Sequence, residues 1–250
     1  MYILGDIGNT EIKICIYSNK LKLLKKKIIQ TRFLDQKKND KEFNFLLKSK
    51  KKINKILFCS VVPKSYSKLK NFFIKKLNIR PIEVKEINLN DLINIKINKK
   101  QVGSDRIVNA IGINDKKQNY IVLDFGTATT FDVIKKNNYV GGVIAPGLKL
   151  SLESLSKKAS LIPNINVSKI KKVIGTNTNS AVKSGFYWGY TGLIDNIVKL
   201  IIKQSRLSFK IVLTGGYSHL FKTTIKGNSK IDKDLIFKGL LKILKKKFIK

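Results

Sequence analysis

Two similar stretches, Tyr2-Ile3-Leu4-Gly5-Asp6-Ile7-Gly8-Asn9-Thr10 and Tyr120-Ile121-Val122-Leu123-Asp124-Phe125-Gly126-Thr127-Ala128, open the two halves of this chain. In each stretch an apolar run leads into Asp-x-Gly and small polar or alanine residues, and a second apolar run follows. A glycine between two apolar runs predicts a tight turn between strands, since glycine adopts positive φ at low cost. Backbone N–H groups of such turns bind phosphate, and a nearby carboxylate binds cations. The repetition predicts a duplicated domain with a nucleotide between its halves.

Hydrophobic periodicity predicts a similar succession of elements after each stretch: a meander of strands, a helix, a strand and another helix. This succession is the layout of a duplicated ribonuclease-H-like α/β domain. The first domain is predicted to span residues 1–117 and the second residues 118–250. The predicted helices include a short one at Phe43–Ser49, a long one at Ser180–Ser205 and an amphipathic one at Leu235–Phe248.

The charge of the chain is strongly positive, with 51 Lys and Arg against 16 Asp and Glu and a formal net charge of +35. Such a charge attracts anionic partners, including nucleic acids and membranes. However, only Arg32, Arg80, Arg106 and Arg206 are arginines, the residue type that binds bases and phosphates in a bidentate manner. The lysines accompany Ile and Asn along the whole chain, which indicates compositional drift. We therefore expect no specific nucleic-acid partner.

The cysteine and histidine content of the chain indicates its cellular compartment and limits the metal sites it can form. Cys15 and Cys59 are too few for a disulfide framework and lie in apolar runs, and His219 is the single histidine, so no zinc site is expected. Met1 leads directly into a strand without a basic signal region, and no apolar stretch is long enough to span a bilayer. The sequence predicts a reduced, cytoplasmic protein without a membrane partner.

A set of motifs occurs along the chain in a fixed order. They are Asp6-x-Gly8-Asn9-Thr10-x-x-Lys13, Gly103-x-Asp105-Arg106, Asp124-Phe125-Gly126-Thr127-Ala128-Thr129-Thr130-Phe131-Asp132, Gly141-Gly142-x-Ile144-x-Pro146-Gly147, Asn177-Thr178 and Thr214-Gly215-Gly216. Together they resemble the motifs of the type III pantothenate kinases, a family of the acetate and sugar kinase/Hsp70/actin superfamily. The resemblance runs from about residue 1 to residue 217 and depends on the combination, because each motif alone is a weak signal. It implies an actin-like ATPase fold of two similar domains with the active site in the cleft.

The resemblance implies ATP-dependent phosphorylation of pantothenate at its 4′-hydroxyl, the first step toward coenzyme A. It implies ATP contacts from the first turn and its flanks and from one residue of the second turn. These residues are Asp6, Ile7, Gly8, Asn9, Thr10, Glu11, Ile12, Lys13 and Thr127. Phosphoryl transfer requires held phosphates, neutralised charge and a positioned hydroxyl, and these residue types supply donors and a cation. From the residues alone, a solvated strand lysine is the favoured interpretation of Lys13 in so lysine-rich a chain, and the resemblance makes phosphate binding about equally favoured.

Asp105 is the predicted catalytic base. Carboxylates are scarce in this chain, and a carboxylate that accepts the proton of the substrate hydroxyl is the usual base in such transfers. The residues alone favour another role, since Ser or Asp before an apolar helix commonly caps it. The resemblance implies catalysis by Asp105 and pantothenate binding by Gly103, Ser104, Asp105 and Arg106. For Arg106, three partners stay open: the pantothenate carboxylate, a phosphate or Asp105.

The resemblance further implies that Asp124 binds a monovalent cation and that Thr178 contacts the substrate. A carboxylate at a turn is a reasonable ligand for a hard cation. The choice between K⁺ and NH₄⁺ stays open, as does the presence of Mg²⁺ with ATP, and from the residues alone Thr178 is as readily part of a helix cap. One departure from the family pattern is that Ile95–Gln101 contains neither the Tyr nor the Pro that usually precede Gly103, which bears on pantothenate affinity.

The resemblance also implies a homodimer, and the small residues within Ala181–Gly192 suit close helix packing. Two other functions remain as alternatives. One is another small-molecule kinase of the same superfamily, and the other is a nucleic-acid-binding transcriptional accessory protein on the same fold. The second alternative predicts basic residues concentrated on one face and binding that weakens steeply with salt.

Overall fold

The computed structural model describes residues 1–35, 43, 45–46, 53–225 and 229–249. Within them the chain forms two compact units, Met1–Ile113 together with Asp234–Lys250, and Asn114–Lys233. The predicted helix Phe43–Ser49 falls largely outside the described residues. Among the helices that are described, none is long and apolar enough to cross a membrane.

The strands and helices alternate along the chain much as the hydrophobic pattern predicts. The strands are β1 (Tyr2–Ile7), β2 (Glu11–Tyr17), β3 (Leu23–Gln30), β4 (Lys55–Ser60), β5 (Ile82–Glu83), β6 (Asn94–Ile95), β7 (Tyr120–Phe125), β8 (Ala128–Lys135), β9 (Asn138–Pro146), β10 (Lys210–Gly215) and β11 (Ser229–Ile231). The α-helices are α1 (Pro63–Leu77), α2 (Ser104–Ile113), α3 (Leu148–Lys158), α4 (Thr178–Ser205), α5 (Ser218–Phe221) and α6 (Leu235–Phe248). The predicted long helix and C-terminal helix are thus confirmed as α4 and α6.

The first unit contains a five-stranded sheet in the order β3-β2-β1-β4-β5. β1 runs antiparallel to β2 and parallel to β4, and β4 runs parallel to β5. β1 and β4 are almost continuously apolar because both their faces are covered, as is usual for parallel strands. Phe58 of β4 packs against Phe73 of α1 with the ring centroids 5.7 Å apart. Gly5 of β1 makes room for the Phe58 ring, since a Cβ at Gly5 would overlap that ring.

Two glycines allow α2 and α6 to pack closely in the first unit. A Cβ at Gly112 of α2 would lie 2.5 Å from the carbonyl oxygen of Leu235 and 3.1 Å from the backbone nitrogen of Gly239. A Cβ at Gly239 of α6 would in turn overlap the carbonyl oxygen of Val108. The backbones of the two helices therefore touch, and α6 supports the helix that carries Asp105.

We expect Gly239→Ala to lower the free energy of unfolding by about 1–3 kcal/mol, because the added methyl group meets backbone that cannot move without shifting a helix. This sign is informative, since alanine normally stabilises a helix interior by about 1 kcal/mol relative to glycine. Urea unfolding followed by circular dichroism measures the change. Lys245→Ala, at an exposed position of the same helix, should change the free energy by less than about 0.5 kcal/mol. A stabilised Gly239→Ala variant would contradict the close packing.

The second unit repeats the topology of the first. Its strands lie in the order β11-β10-β7-β8-β9, with β7 antiparallel to β8 and parallel to β10. β8 runs antiparallel to β9, and β10 runs parallel to β11. Reading β7, β8, β9, β10 and β11 as counterparts of β1 to β5 gives the same order and the same directions. The predicted duplication is present in the strand topology.

The units differ from the predicted domains at the C-terminus. The predicted second domain spans residues 118–250, whereas in the structure Asp234–Lys250 packs with the first unit. The reason lies in α6, whose apolar face is buried against α2 through Gly112 and Gly239. Sequence order alone does not reveal which half a terminal amphipathic helix covers.

Candidate active site

The first Asp-x-Gly stretch places a carboxylate and an amine opposite each other. Asp6 near the end of β1 faces Lys13 of β2 in the antiparallel ladder, and on its other side it faces Cys59 of β4. Directly paired residues project from the same face of a sheet, so these three side chains share one face. Asp6 and Lys13 are both half-buried. The structure thus brings two of the predicted ATP-binding residues together.

The turn between β1 and β2 is held by hydrogen bonds around Gly8. The Gly8 N–H donates to the Glu11 carbonyl at 2.9 Å, and the Thr31 hydroxyl donates to the Gly8 carbonyl at 2.7 Å. Asn9 and Thr10 at the tip are exposed, as is Glu11. Ile7 and Ile12 are fully buried in the core, so contacts with ATP at these two positions would have to come from the backbone.

The expected reason for the turn glycines is wrong. Gly8 and Gly126 do not have positive φ; among the described residues the glycines with positive φ are Gly141 (116°) and Gly215 (83°). Gly8 is favoured by space, because a Cβ there would lie 3.2 Å from the Glu11 carbonyl oxygen. At Gly126 a Cβ would make only an ordinary contact of 3.6 Å, so neither φ nor space requires glycine.

The start of α2 positions the predicted base. Gly103 precedes the helix, and Ser104 and Asp105 are its first residues. Oδ1 of Asp105 accepts a hydrogen bond from the Arg106 N–H at 2.8 Å. A Cβ at Gly103 would overlap this same Oδ1, so glycine is what lets the carboxylate fold back over the helix start. Asp105 therefore stabilises the N-terminus of α2, as a capping role predicts, and its carboxylate is at the same time fixed in direction.

Burial raises the pKa of Asp105 above its ordinary value. The hydrogen bond from the Arg106 N–H and the charge of the Arg106 guanidinium act in the opposite direction and lower this pKa. A carboxylate with a raised pKa is a stronger proton acceptor, and the Arg106 contacts favour its charged form. The geometry and the electrostatics both suit a general base.

A buried glutamate close to α2 was missed by the sequence analysis. Glu83 of β5 is 7% exposed, and its carboxylate accepts hydrogen bonds from the Lys85 N–H at 2.6 Å and the Ser60 N–H at 3.3 Å. Burial raises its pKa above the ordinary value for glutamate. The available signal was a carboxylate directly after Pro81-Ile82 in an acid-poor chain, but nothing in the local sequence indicates that it is buried.

Ser104 is predicted to contact pantothenate, but its hydroxyl is used inside the protein. The side chain is fully buried and donates to the Ser60 carbonyl at 2.7 Å. It also accepts from the Ser60 N–H at 2.9 Å and lies 3.5 Å from the Cys59 sulfur. Contact between Ser104 and a substrate would therefore involve its backbone. Burial raises the pKa of Cys59 well above the ordinary value, and the charges of Asp6, Asp105 and Glu83 raise it further.

The second Asp-x-Gly stretch differs from the first in the residue that faces its carboxylate. Asp124 of β7 is paired with Thr130 of β8, where the first unit has Asp6 paired with Lys13. Thr130 donates a hydrogen bond to Oδ2 of Asp132 at 3.2 Å, and the Tyr139 hydroxyl donates to Oδ1 of Asp132 at 2.7 Å. Asp132 is fully buried. Two carboxylates and no lysine thus flank Thr130 on this face of the sheet.

A close approach of β10 fixes the surroundings of Asp124. A Cβ at Gly215 would lie 2.6 Å from Oδ1 of Asp124 and 2.6 Å from the Phe125 nitrogen, and the φ of Gly215 is 83°. The Gly216 N–H donates to the Phe125 carbonyl at 3.1 Å. The Thr214-Gly215-Gly216 motif therefore lies directly against the Asp-x-Gly stretch of the second unit.

The other predicted residues of the second unit are exposed. Thr127 lies at the tip between β7 and β8, and its carbonyl accepts from the Gly147 N–H at 3.1 Å. Thr178 is the first residue of α4, and the cap of this helix is Asn177, whose side chain accepts from the Ser180 N–H at 2.9 Å. The capping alternative therefore applies to Asn177, and Thr178 stays a predicted substrate contact. Among the described residues, no three His, Cys, Asp or Glu side chains gather in a way that suits a metal ion.

Comparison with known sequences shows which protein family this chain is similar to. A family model described as type III pantothenate kinase matches residues 2–200. A curated type III pantothenate kinase from Pelagibacter ubique is 55% identical over 242 residues, which are 97% of this chain and 98% of that protein. Another from Halalkalibacterium halodurans is 35% identical over 257 residues, 98% of this chain and 99% of that protein. Both relatives match over nearly their whole length.

Comparison with solved structures bears on the fold. A Campylobacter jejuni protein, provisionally described as a Baf family transcriptional activator, has a TM-score of 0.61 and 24% identity, with 98% of each chain covered. At this identity the likeness concerns the fold alone. Together with the family match and the repeated strand order, it confirms the predicted duplicated ribonuclease-H-like, actin-like ATPase fold.

Proposed function

The chain belongs to the type III pantothenate kinase family, and we propose that it transfers the γ-phosphoryl group of ATP to the 4′-hydroxyl of pantothenate, the first step of coenzyme A biosynthesis. The observation that carries this proposal is the Gly103-Ser104-Asp105-Arg106 segment. It places a half-buried carboxylate at the start of α2 and fixes it through the Arg106 N–H. Such a group is suited to receive a proton from a neutral hydroxyl.

Asp105 acts as the proton acceptor. Its Oδ1 is held by the Arg106 N–H, so the direction of the second oxygen is set by the helix. As the hydroxyl of pantothenate attacks the γ-phosphorus, its proton passes to the Asp105 carboxylate, and the bond to the ADP oxygen breaks. The protein supplies little covalent chemistry in this reaction, and positioning with charge stabilisation accounts for most of the rate.

The phosphates of ATP are assigned to the turn between β1 and β2 of the first unit, while Thr127 of the second unit stays a predicted ATP contact. Asn9 and Thr10 are exposed at the tip of this turn and present amide and hydroxyl donors. Lys13 supplies a positive charge beside Asp6 on the adjoining face of the sheet. In this assignment, Lys13 pairs with phosphate oxygens and Asp6 fixes the position of Lys13, so that the amine is directed without being free to move over the surface.

Pantothenate is assigned to the residues around the start of α2. Gly103, the backbone of Ser104, Asp105 and Arg106 form this surface in the first unit. Arg106 is close enough to Asp105 to lower the pKa of that carboxyl. We assign its guanidinium to the carboxylate of pantothenate, since arginine binds carboxylates through two parallel hydrogen bonds.

A monovalent cation is assigned to Asp124. The residues present fit such an ion, because Asp124 offers carboxylate oxygens at a turn, faces the Thr130 hydroxyl and lies on the same face as the buried Asp132. Gly215 leaves space beside Oδ1 of Asp124 that any side chain would fill. When bound, K⁺ or NH₄⁺ would neutralise phosphate charge. Asp124 holds the ion, and Thr130 with Asp132 and Tyr139 keeps the adjoining strand in place.

We expect Asp124→Asn to raise the K⁺ concentration for half-maximal activity at least about tenfold, since the variant removes the charge that attracts the ion, equivalent to about 1.4 kcal/mol of binding free energy. Steady-state rates measured against K⁺ at constant ionic strength give this value. Asp195→Asn, at a half-buried aspartate of α4, should leave it within about twofold. An unchanged K⁺ dependence in Asp124→Asn would exclude this residue as the ligand.

The interface of a homodimer is assigned to the exposed face of α4 that carries small residues. A Cβ at Gly185, Gly189 or Gly192 would meet no atom within 4 Å, and Trp188 beside them is 36% exposed. A helix face without side chains lets a second backbone approach closely, and an adjoining tryptophan gives it apolar area to bury. Sedimentation equilibrium at micromolar concentration distinguishes the dimer from a monomer.

A coupled ADP-release assay tests the proposed function. Purified protein is supplied with ATP, with or without pantothenate, in K⁺, NH₄⁺ or Na⁺ at equal ionic strength. We expect ADP release that depends on pantothenate and is faster in K⁺ or NH₄⁺ than in Na⁺. No pantothenate-dependent release in any of the three salts would contradict the proposal. Release that depends instead on a sugar substrate would favour another kinase of the superfamily.

A further inference from the structure

Glu83 carries a carboxylate at a position where burial makes charge costly. Its side chain is 7% exposed, and a buried charge is tolerated only with hydrogen-bond partners. Its two oxygens accept from the Lys85 N–H at 2.6 Å and from the Ser60 N–H at 3.3 Å. The carboxylate therefore connects the turn after β5 to the end of β4.

The same backbone N–H is shared with the start of α2. The Ser60 N–H also donates to the Ser104 hydroxyl at 2.9 Å, and this hydroxyl donates to the Ser60 carbonyl at 2.7 Å. Burial raises the pKa of Glu83 overall, and the nearby Ser104 hydroxyl acts in the opposite direction. Glu83, Ser60 and Ser104 form one network, and the residue that follows Ser104 in the chain is Asp105.

A capping role for Glu83 accounts for only part of this network. Glu83 caps the single 3₁₀ turn Val84–Glu86, and Glu86 completes the capping box by accepting from the Glu83 N–H at 3.4 Å. The cap explains the bond from Lys85. It does not explain why the second carboxylate oxygen reaches the Ser60 N–H, where the Ser104 hydroxyl also binds.

We propose that Glu83 is a positioning residue for phosphoryl transfer: through Ser60 and the Ser104 hydroxyl it fixes the first turn of α2 and thereby the Asp105 carboxylate. This inference rests on Asp105 being the base of the proposed function. Glu83 does not touch the substrate in this role. A misplaced base loses rate even when the fold is intact, since a displacement of about 1 Å can cost about 10²-fold.

The test is Glu83→Gln, which keeps the size of the side chain and removes its charge and one acceptor. We expect kcat to fall about 10- to 100-fold while KM for ATP stays within about twofold. Glu86→Gln, in the other half of the same capping box, is the matched control and should keep kcat within about twofold. Thermal unfolding of both variants shows whether the two substitutions lower the stability of the protein equally.

The dependence on Asp105 is tested by combining variants. Residues that act as a unit are strongly non-additive, so Glu83→Gln should cause no further loss in an Asp105→Asn background. An equal relative loss in both backgrounds would overturn the inference, as would an unchanged kcat in Glu83→Gln alone. If Glu83→Gln does not fold, Ser104→Ala replaces it in the same comparison, because it removes the hydroxyl that joins Ser60 to α2.

A readout independent of turnover separates this inference from the proposed function. Hydrogen exchange of the amides in the first turn of α2 should accelerate in Glu83→Gln and stay unchanged in Glu86→Gln. If the wild-type protein shows no pantothenate-dependent ADP release, the proposed function fails, and unchanged exchange would show that Glu83 does not fix α2 either. If wild type is active and Asp105→Asn is inactive but Glu83→Gln is normal, only the inference about Glu83 fails.

Discussion

Asp105→Asn is expected to lower kcat for pantothenate phosphorylation by about 10²- to 10⁴-fold, the usual contribution of a general base. Asparagine has the same shape but does not accept the proton of the hydroxyl. Its Oδ1 still accepts the Arg106 N–H, so the start of α2 should stay intact and ATP affinity should change by less than about twofold. Coupled ADP release gives kcat, and calorimetry gives the ATP dissociation constant.

An aspartate elsewhere in the first unit serves as the control for charge removal. Asp91 forms an ion pair with Lys247 at 2.6 Å, with partly exposed side chains. Such pairs contribute little to stability, so Asp91→Asn should keep kcat within about twofold. An Asp105→Asn variant that retained more than a tenth of the wild-type kcat would show that proton acceptance at this position is not required.

The pH dependence of the wild type provides a second check on Asp105. The base must be ionised, so kcat/KM falls as the pH decreases through the pKa of Asp105. Because burial raises this pKa, the acid limb should lie above about 3.9, the ordinary value for aspartate. The acid limb due to this group should disappear in the residual activity of Asp105→Asn.

Local sequence patterns predicted most of the fold. Apolar runs of four to eight residues became strands, and apolar residues at helical spacing became helices, because each pattern matches the period of one element. The C-terminal helix was predicted with the bounds that the structure shows, Leu235–Phe248. The repeated Asp-x-Gly stretch correctly indicated two units of one topology.

Contacts between segments that are distant along the chain could not be predicted from the sequence. The burial of Glu83 depends on Ser60 and on the start of α2, which lie 23 and 21 residues away from it in the chain. The assignment of α6 to the first unit depends on the backbone contact between Gly239 and Val108. A glycine within a helix pattern indicates only a weak helix position, and it does not identify the backbone that approaches it.

The difference between the two Asp-x-Gly stretches also required the register of the sheets. The two stretches are similar in sequence. From the sequence alone, each carboxylate could lie beside bound phosphates or bind a cation. In the structure Asp6 is paired with Lys13, whereas Asp124 is paired with Thr130. The first carboxylate is thus paired with an amine and the second with a hydroxyl. The register thus supports different roles for the two copies.

Gly103→Ala should separate the orientation of the base from the stability of the fold. A Cβ at this position would overlap Oδ1 of Asp105 and lie 3.4 Å from Cγ1 of Val61. Oδ1 is the end of a flexible side chain, so the overlap is relieved when the carboxylate rotates away and loses the Arg106 N–H. We expect kcat to fall about 10²-fold, because the base no longer faces the hydroxyl.

The free energy of unfolding should change much less than the rate in this variant. The lost hydrogen bond costs about 1 kcal/mol, and alanine offsets part of this cost by restricting the unfolded chain, since Gly103 does not have positive φ. Urea unfolding and ADP release measured on the same preparation give both quantities. A Gly103→Ala protein with normal kcat would mean that the carboxylate direction seen at the start of α2 is not the one used in catalysis. A loss of both rate and stability would instead show that the added methyl group displaces the start of α2 as a whole and does not only rotate the Asp105 side chain.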